Sequence, residues 1–299
     1  MSGSAPVLSD FQAWDAAHYL AQYYTRVEAD EAATLAFITQ ACRRIAAPGR
    51  ALVFGIGPTV HHLLPLVPHV CEIHVADYLE SNLEHVRRWL RGDSLAHDWR
   101  AFTRHVLEHE GMRAPGARQI DERERLVRER VTRCLHGDAG REPTSSASGL
   151  ARYDVVVSCY CAESATGDRT VWRRYVRNIL RQLAPGGLFI TAALRQCRAY
   201  HVGLQSFACA DIDEHDLAAV LFEAGVEPRH LELEVRRVGL RKRLGYDSIV
   251  LAAASAPAAN AAAARSPHCD HVRGSEQAWG HPSPAAAVTL LASVAGSPA

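Results

Sequence analysis

The stretch that decides the fold of this chain is Ala51-Leu52-Val53-Phe54-Gly55-Ile56-Gly57-Pro58, followed by Val75-Ala76-Asp77-Tyr78. The first apolar run leads into two glycines one residue apart, which predicts a buried strand and a turn that no side chain blocks. The second apolar run ends in an acid, which predicts a neighbouring parallel strand and a carboxylate placed to bind a ribose diol. We therefore expect a nucleoside-containing cofactor at the strand ends of an open α/β sheet.

The turn departs from the dinucleotide-binding pattern at the place where a pyrophosphate would bind. That pattern has a third glycine three residues after the second, beside the helix N-terminus that meets the pyrophosphate. Val60 stands at that position, and Pro58 directly follows Gly57. A ribose-binding acid without a pyrophosphate loop favours S-adenosylmethionine, which has a ribose and an amino acid but no phosphate. An NAD-dependent enzyme and a plain strand-to-helix turn stay open as alternatives.

Length and charge favour a single enzyme-sized core with small-molecule partners. Among the 299 residues, 33 acidic and 33 basic side chains balance, so no net field attracts nucleic acid or a membrane surface. No apolar run reaches the roughly 18 residues that cross a bilayer, and residues 1–10 lack the order of a secretory signal. The cysteines lack zinc-ribbon spacing. We therefore expect a cytoplasmic monomer without a bound metal.

Hydrophobic periodicity predicts two helices before the first glycine and alternating strands and helices after it. Helices are expected at residues 11–24 (capped by Ser9), 31–46, 59–66, 80–90, 121–135, 168–184 and 213–224, and strands at 51–54, 72–76, 104–108, 153–158, 188–194, 231–238 and 248–253. This alternation predicts a mostly parallel, doubly wound sheet of seven strands with helices on both faces. Three regions are expected: a helical lid (1–50), a cofactor-binding core (51–254) and a low-complexity, disordered tail (255–299).

Several motifs, in this order, resemble the family of nicotinamide, phenylethanolamine and indolethylamine N-methyltransferases. They are His18 to Tyr24, Gly55-Ile56-Gly57-Pro58-Thr59, Asp77-Tyr78 with Asn82-Leu83, Asp138-Ala139, Ser158 to Glu163, Leu183 to Gly187, and Tyr200 to Gly203. The resemblance covers about residues 14–253 and is most specific in the second and third motifs together. It implies a Rossmann-like class I methyltransferase fold, with S-adenosyl-L-methionine as cofactor and S-adenosyl-L-homocysteine as product.

The resemblance also implies a cofactor site. Its residues would be Tyr19, Tyr24, Gly55, Gly57, Thr59, Asp77, Tyr78, Asn82, Asp138, Ala139 and Ser158. Asp77 would bind the ribose hydroxyls with help from Asn82, and Asp138 would face the adenine amine. Tyr19 would close over the site from a helix whose aromatic ring faces suit a sulfonium or an ammonium. As alternatives, these tyrosines could be core residues and Asp138 could cap a turn.

On the substrate side, the resemblance points to Tyr19, Glu163, Arg195, Tyr200 and Cys209. Methyl transfer needs an aligned, neutral nucleophile more than covalent help from the protein. Glu163 follows a predicted buried strand at the carboxyl end of the sheet, where ligands bind. It would anchor the amine and accept its proton, with Tyr19 as the second catalytic residue. A helix N-terminal acid is the alternative for Glu163.

Some positions depart from the nicotinamide enzyme of this family. Ala192 stands where that enzyme has a carboxamide-binding aspartate, and Cys209 where its serine partner lies, so nicotinamide is doubtful as the substrate. Arg195 and Arg198 have no evident acidic partner and could bind a carboxylate. We expect an N-methyltransferase for a small amine or N-heterocycle. A small-molecule O-methyltransferase, a nucleotide-dependent oxidoreductase and a non-catalytic adenosyl-binding protein are the alternatives.

Overall fold

The computed structural model describes residues 7–8, 10–142, 152–239 and 244–257. Its elements in chain order are β1 (Val7–Leu8), α1 (Ala16–Tyr23), α2 (Ala29–Cys42), β2 (Arg50–Phe54), a 3-10 turn (His61–Leu63), β3 (Glu72–Asp77), α3 (Glu80–Leu90), α4 (Arg100–His109), α5 (Ala117–Arg130), β4 (Val131–His136), β5 (Tyr153–Cys159), α6 (Arg169–Leu180), β6 (Leu183–Arg195), β7 (Ala199–Val202), β8 (Gln205–Ala208), α7 (Glu214–Glu223), a second 3-10 turn (Pro228–His230), β9 (Leu231–Arg237) and β10 (Ser248–Ser255).

The central sheet has seven strands in the order β4-β3-β2-β5-β6-β10-β9. The first five are parallel to their neighbours, whereas β10 runs antiparallel to both β6 and β9. In the middle, Val53 pairs with Val75 of β3 and Val157 of β5. This order confirms the predicted Rossmann-like class I fold. It places the switch in strand order, between β2 and β5, at the carboxyl ends of these strands, where ligands of open α/β sheets bind.

Helices cover both faces of this sheet, as predicted. Successive strand residues point to opposite faces, so Val53 packs in the core that contains Leu35 of α2 and Phe102 of α4. Its neighbour Leu52 packs in the core that contains Trp172 of α6. Two separate hydrophobic layers therefore hold the sheet, one on each face.

Helix α2 belongs to the core and not to a lid. Leu35, Ile38 and Cys42 are almost unexposed, and the helix packs against α4 and β10. Only the shorter segment up to the end of α1 lies over the cavity described below. The predicted lid boundary at residue 50 is therefore too late, because α2 is apolar on too many sides to leave the core.

Some elements differ from the sequence prediction. Residues 104–108 belong to α4 and not to a strand, because buried Phe102 and Val106 recur at helical spacing. The helix predicted over 121–135 ends at Arg130, and β4 then pairs with β3. Residues 59–66 contain only a 3-10 turn, and the β7–β8 hairpin has no counterpart in the prediction.

The tail from residue 258 and the predicted cap Ser9 lie outside the described residues. The described residues belong to one compact unit, which ends at Ala264. Within them, no helix has the length and apolarity required to span a membrane.

Candidate active site

A cavity of about 530 Å³ lies at the carboxyl ends of the parallel strands. Residues at or just after five of these strands line it: Gly55 of β2, Asp77 of β3, Asp138 of β4, Tyr160 of β5 and Leu194 of β6. Its volume falls in the range of about 300–1,000 Å³ that small-molecule sites occupy. The cavity is therefore where the switch in strand order predicts a ligand.

The glycine turn after β2 requires glycine for two physical reasons. Gly55 and Gly57 have φ values of +69° and +64°, in the left-handed region that other residues rarely adopt. A Cβ on Gly55 would lie 2.1 Å from Cys161 Sγ. The N–H of Gly57 donates to Asp77 Oδ2 at 2.7 Å. The turn therefore brings backbone to the cavity and holds the carboxylate of β3 beside it.

The Asp77 carboxylate is buried and already organised by protein donors. Its Oδ1 accepts from the Leu79 N–H and from Asn82 Nδ2, both at 2.9 Å. Burial raises the pKa of Asp77, and the hydrogen bonds from Leu79, Asn82 and Gly57 oppose that rise. Because Oδ2 accepts only the Gly57 bond among the described residues, it keeps a lone pair. This arrangement fits a ribose diol, so the site passes the test for S-adenosylmethionine on its own geometry.

The N-terminal segment is tied directly to this carboxylate. The indole N–H of Trp14 donates to Asn82 Oδ1 at 2.9 Å, and Asn82 in turn donates to Asp77. Trp14 also packs edge-on against Phe207 of β8, with ring centres 5.6 Å apart. The Tyr23 hydroxyl donates to the His201 carbonyl of β7 at 2.8 Å. The segment therefore closes one side of the cavity and is fixed to the β7–β8 hairpin.

Aromatic rings form much of the cavity wall. They are Phe11, Trp14, Tyr19, Tyr23, Tyr24, Phe54, Tyr78, Tyr160, Tyr175, Tyr200 and Tyr246. The hydroxyls of Tyr19 and Tyr24 lie 3.1 Å apart, and burial raises the pKa of both groups, which keeps them neutral phenols. Tyr160 adopts φ +53°, and its hydroxyl lies 2.6 Å from Thr34 Oγ1. Such a wall offers π faces to a cation and excludes water.

Two acids that sequence reasoning did not assign to the site also line the cavity. Asp30 and Glu31 stand in the first turn of α2. Asp30 accepts a hydrogen bond from the Tyr246 hydroxyl, and burial, together with the charge of Glu31, raises its pKa to about 6. Acids are common in the first turn of any helix, so the sequence carried no distinguishing signal.

Glu31 is shared by two histidines of the 3-10 turn. Its Oε2 lies 2.9 Å from His61 Nε2 and 3.3 Å from His62 Nε2, and all three side chains are buried. Burial alone would raise the pKa of Glu31, but the two imidazoles outweigh it and hold that pKa below its usual range. Burial lowers the pKa of His61 to about 4. The cluster is therefore an ionised carboxylate between two imidazoles, of which His61 is neutral.

The residue types in this cluster would also suit a divalent transition metal. A histidine that binds a metal normally donates its other ring N–H to a carboxylate or carbonyl. The other ring nitrogen of His61, Nδ1, is buried and has no hydrogen-bond partner among the described residues. Coordination through Nε2 would leave an orphaned N–H there. We therefore assign the two contacts of Glu31, with His61 and with His62, as hydrogen bonds.

Most residues predicted for the site do line the cavity: Tyr19, Tyr24, Gly55, Gly57, Thr59, Asp77, Tyr78, Asn82, Asp138, Ala139 and Tyr200. Asp138 also accepts the Gly140 N–H at 2.7 Å, so it caps its own turn as well. Four predicted residues do not line the cavity. These are Ser158, Glu163, Arg195 and Cys209.

The structure does not place Glu163 on the cavity wall, so its predicted role beside the acceptor stays a prediction. Its side chain is buried and turns back into the protein, where Oε1 accepts the Leu194 N–H at 3.0 Å. Ser164, the next residue, lines the cavity instead. Burial raises the pKa of Glu163 to about 7. The Leu194 N–H and the Ser164 side chain, both of residues that line the cavity, therefore bind this buried carboxyl.

The expectation that Arg195 has no acidic partner is wrong. Helix α7 brings Glu214 to it, and the guanidinium donates to both carboxylate oxygens at 2.6 and 3.0 Å. Arg198 pairs with Asp211 at 3.0 Å. Both guanidinium groups thus bind protein carboxylates in this structure.

Ser158 and Cys209 are buried structural residues. The Ser158 carbonyl accepts a hydrogen bond from Thr191 Oγ1 at 2.7 Å, which joins β5 to β6. The Cys209 N–H donates to the Arg198 carbonyl at 2.9 Å. Neither residue is among those that line the cavity.

Comparison with known proteins agrees with this site. The model of the NNMT/PNMT/TEMT family matches residues 7–251. The chain is 30% identical over 206 residues to phenylethanolamine N-methyltransferase of Rattus norvegicus, covering 67% of this chain and 70% of that one. It is 30% identical over 171 residues to nicotinamide N-methyltransferase of Homo sapiens, covering 57% of this chain and 63% of that one.

A third relative is indolethylamine N-methyltransferase of Mus musculus, 29% identical over 173 residues that cover 58% and 64% of the two chains. The solved structure of N-methyltransferase NodS from Bradyrhizobium japonicum with S-adenosyl-L-homocysteine aligns with a TM-score of 0.44 at 15% identity. The alignment covers 77% of this chain and 89% of that one. That similarity is too low to add to the strand order as evidence. The family match over most of the chain, the strand order and the ribose-binding geometry agree: the chain belongs to the NNMT/PNMT/TEMT family and is an S-adenosylmethionine-dependent methyltransferase.

Proposed function

We propose that this enzyme methylates the nitrogen of a small amine or N-heterocycle that binds as a cation. The observation that carries this proposal is the pair of buried acids, Asp30 and Glu31, in a cavity whose wall is rich in aromatic rings. Buried carboxylates are costly unless a cation or several donors accompany them. The relatives' names, all N-methyltransferases, support the same class of acceptor.

The cofactor would lie along the strand ends. Asp77 and Asn82 would bind the ribose, the Gly55–Gly57 turn would let its backbone approach, and Asp138 with Ala139 would border the adenine. S-adenosylmethionine supplies an electrophilic methyl group on its sulfonium. The chain's part is to place a nucleophile in line with it and to exclude water. Tyr19 and Tyr24 line the same cavity as Asp77 and the two acids, and their neutral rings can face the sulfonium.

The acceptor would bind at the floor formed by α2. Asp30, fixed by the Tyr246 hydroxyl, presents a carboxyl to an ammonium, and Tyr200 borders the same space. Ala192 is buried on β6 and offers no carboxylate at the position of the carboxamide-binding aspartate, which argues against nicotinamide as the acceptor. The two acids would repel a phenolate or a carboxylate acceptor, which favours nitrogen over oxygen. We further propose that the enzyme works as a monomer in the cytoplasm.

An acceptor screen tests the proposal directly. Purified protein would receive S-adenosylmethionine with a labelled methyl group and a panel of benzylamine, 2-phenylethylamine, tryptamine and isoquinoline, with 4-methylphenol and benzoate as oxygen acceptors. Mass spectrometry would locate the methyl group. N-methyl products from the panel would support the proposal, and Asp30→Asn would then weaken use of the protonated amines. Transfer to oxygen alone, or to none of the nitrogen compounds, would refute it.

A further inference from the structure

A carboxylate and an imidazole are paired at the wall of the acceptor site. Glu31 and His62 both line the cavity, and His62 Nε2 lies 3.3 Å from Glu31 Oε2. His61 bonds to the same oxygen at 2.9 Å, but its ring does not line the cavity. Two adjacent histidines therefore share one carboxylate, and only one of them can reach a ligand.

The shared carboxylate fixes the tautomer of both rings. An ionised carboxylate only accepts hydrogen bonds, so each Nε2 that approaches it must carry the proton. In a neutral ring with this tautomer, the free lone pair is on Nδ1. In His61 that nitrogen is buried, in a ring that stacks on Trp99 with centres 4.9 Å apart. The Nδ1 of His62 is not among the buried atoms that lack a partner in the described residues, and its ring borders the cavity.

We propose that His62 is the general base that removes the proton of the acceptor ammonium and that Glu31 is its positioning residue. This inference rests on the N-methyl transfer proposed above. The N–H bond of the ammonium breaks, its electron pair stays on the amine nitrogen, and the lone pair of His62 Nδ1 forms the new N–H bond. The amine lone pair is then free to attack the methyl group. His62 returns the proton to water when the site opens.

The surrounding charges favour this transfer. Protonation takes the Glu31–His62 pair from a net charge of minus one to zero, so the carboxylate stabilises the imidazolium. His61 does not compete for the proton, because burial lowers its pKa to about 4. Asp30, beside Glu31 on α2, lines the same cavity as His62, and the ring centre of Tyr160 after β5 lies 6.4 Å from that of His62. Tyr160 stays neutral because burial raises its pKa.

The tautomer can be measured without any acceptor. Protein labelled with ¹⁵N-histidine and bound to S-adenosyl-L-homocysteine would be studied by long-range ¹H–¹⁵N NMR near pH 7, with His62→Gln to assign the resonances. We expect His62 with a protonated Nε2 and a bare Nδ1. An Nδ1–H tautomer would overturn the proposal. A stoichiometric metal in the purified protein, measured by elemental analysis, would also overturn it, because the metal would occupy the nitrogens.

Kinetics with two acceptors distinguish a general-base role of His62 from a structural one. The probes are 2-phenylethylamine, which is an ammonium at pH 7, and isoquinoline, whose nitrogen is largely neutral there. His62→Gln keeps an amide that can bond to Glu31 but has no basicity. With 2-phenylethylamine we expect its rate at pH 7 to fall by about 10²–10⁴, the range for lost general-base catalysis. That loss should shrink as the pH approaches the amine's own pKa, and the isoquinoline rate should hardly change.

Two further variants serve as comparisons. His61→Gln should keep the wild-type shape of the pH profile, because His61 lies outside the cavity wall, and His109→Gln on the exposed end of α4 should behave as wild type. If His62→Gln lost the same fraction of the methyl-transfer rate at every pH and with both acceptors, His62 would have a structural role. That result would refute the proposal that His62 is the general base. Wild-type protein that methylates neither probe at nitrogen would refute the proposed function itself.

Discussion

Replacement of Glu163 by glutamine tests what the buried carboxyl behind the cavity does. The side chain is 2% exposed and accepts a hydrogen bond from the Leu194 N–H. Burial raises its pKa from 4.5 to about 7 in the folded protein. Below pH 4.5 both folded and unfolded chains hold the proton, so this group has no effect on stability there. Between pH 4.5 and about 7, this carboxyl is ionised in the unfolded chain but still protonated in the folded protein. The free energy of unfolding therefore falls as the pH rises through this range.

The magnitude follows from the size of the shift. At about 1.36 kcal/mol per pKa unit, the ionisable carboxyl costs the folded protein about 3 kcal/mol once the pH exceeds 7. Glutamine keeps the shape and can still accept the Leu194 bond but carries no charge. We therefore expect Glu163→Gln to be close to wild type in stability at pH 5 and more stable at pH 8, by up to about 3 kcal/mol.

Urea denaturation at the two pH values measures this difference. Glu108→Gln, on the exposed side of α4, is the matched control. Its free energy of unfolding should differ from that of wild type by the same small amount at both pH values. A Glu163→Gln difference that does not change with pH would refute the raised pKa. Because Glu163 does not line the cavity, turnover of the variant should stay within about tenfold of wild type. A fall of about 10²–10⁴ would instead show that the carboxylate acts on the acceptor.

Three other substitutions test the cavity. Asp77→Ala should weaken S-adenosyl-L-homocysteine binding by about 1.5–3 kcal/mol for each charge-assisted hydrogen bond lost, and unchanged affinity by calorimetry in a folded variant would contradict the ribose assignment. Trp14→Phe removes the hydrogen bond to Asn82 and should raise the KM for the cofactor about 2- to 10-fold, as loss of one hydrogen bond predicts. An unaltered KM would show that the N-terminal segment does not support the cofactor site. Asp30→Asn should raise the KM for a protonated amine about tenfold or more through loss of a charge-assisted bond, with cofactor affinity unchanged, and an equal effect on a neutral N-heterocycle would argue against an ammonium site.

The sequence by itself determined the fold and the ribose end of the site. The run from Ala51 to Phe54, the two glycines and Asp77 lie within one strand–turn–strand unit, and each has a local signal. Apolar runs are read from consecutive residues, and a glycine with positive φ is a local backbone requirement. The resemblance to the family, and not a local backbone requirement, predicted that aromatic residues of the N-terminal segment such as Tyr19 lie at the cavity, and Tyr19 lines it in the structure.

Only the tertiary structure decided the acceptor end. Asp30 meets Tyr246 across 216 positions of sequence, and Glu31 meets the histidines of a turn about thirty residues away. The position of Glu163 depends on a backbone N–H of another strand. Acids in a first helical turn or after a strand, and histidines in a short turn, are ordinary residues in their local context. Their chemistry arises from burial and from partners on other elements, which are set by packing and not by neighbouring sequence.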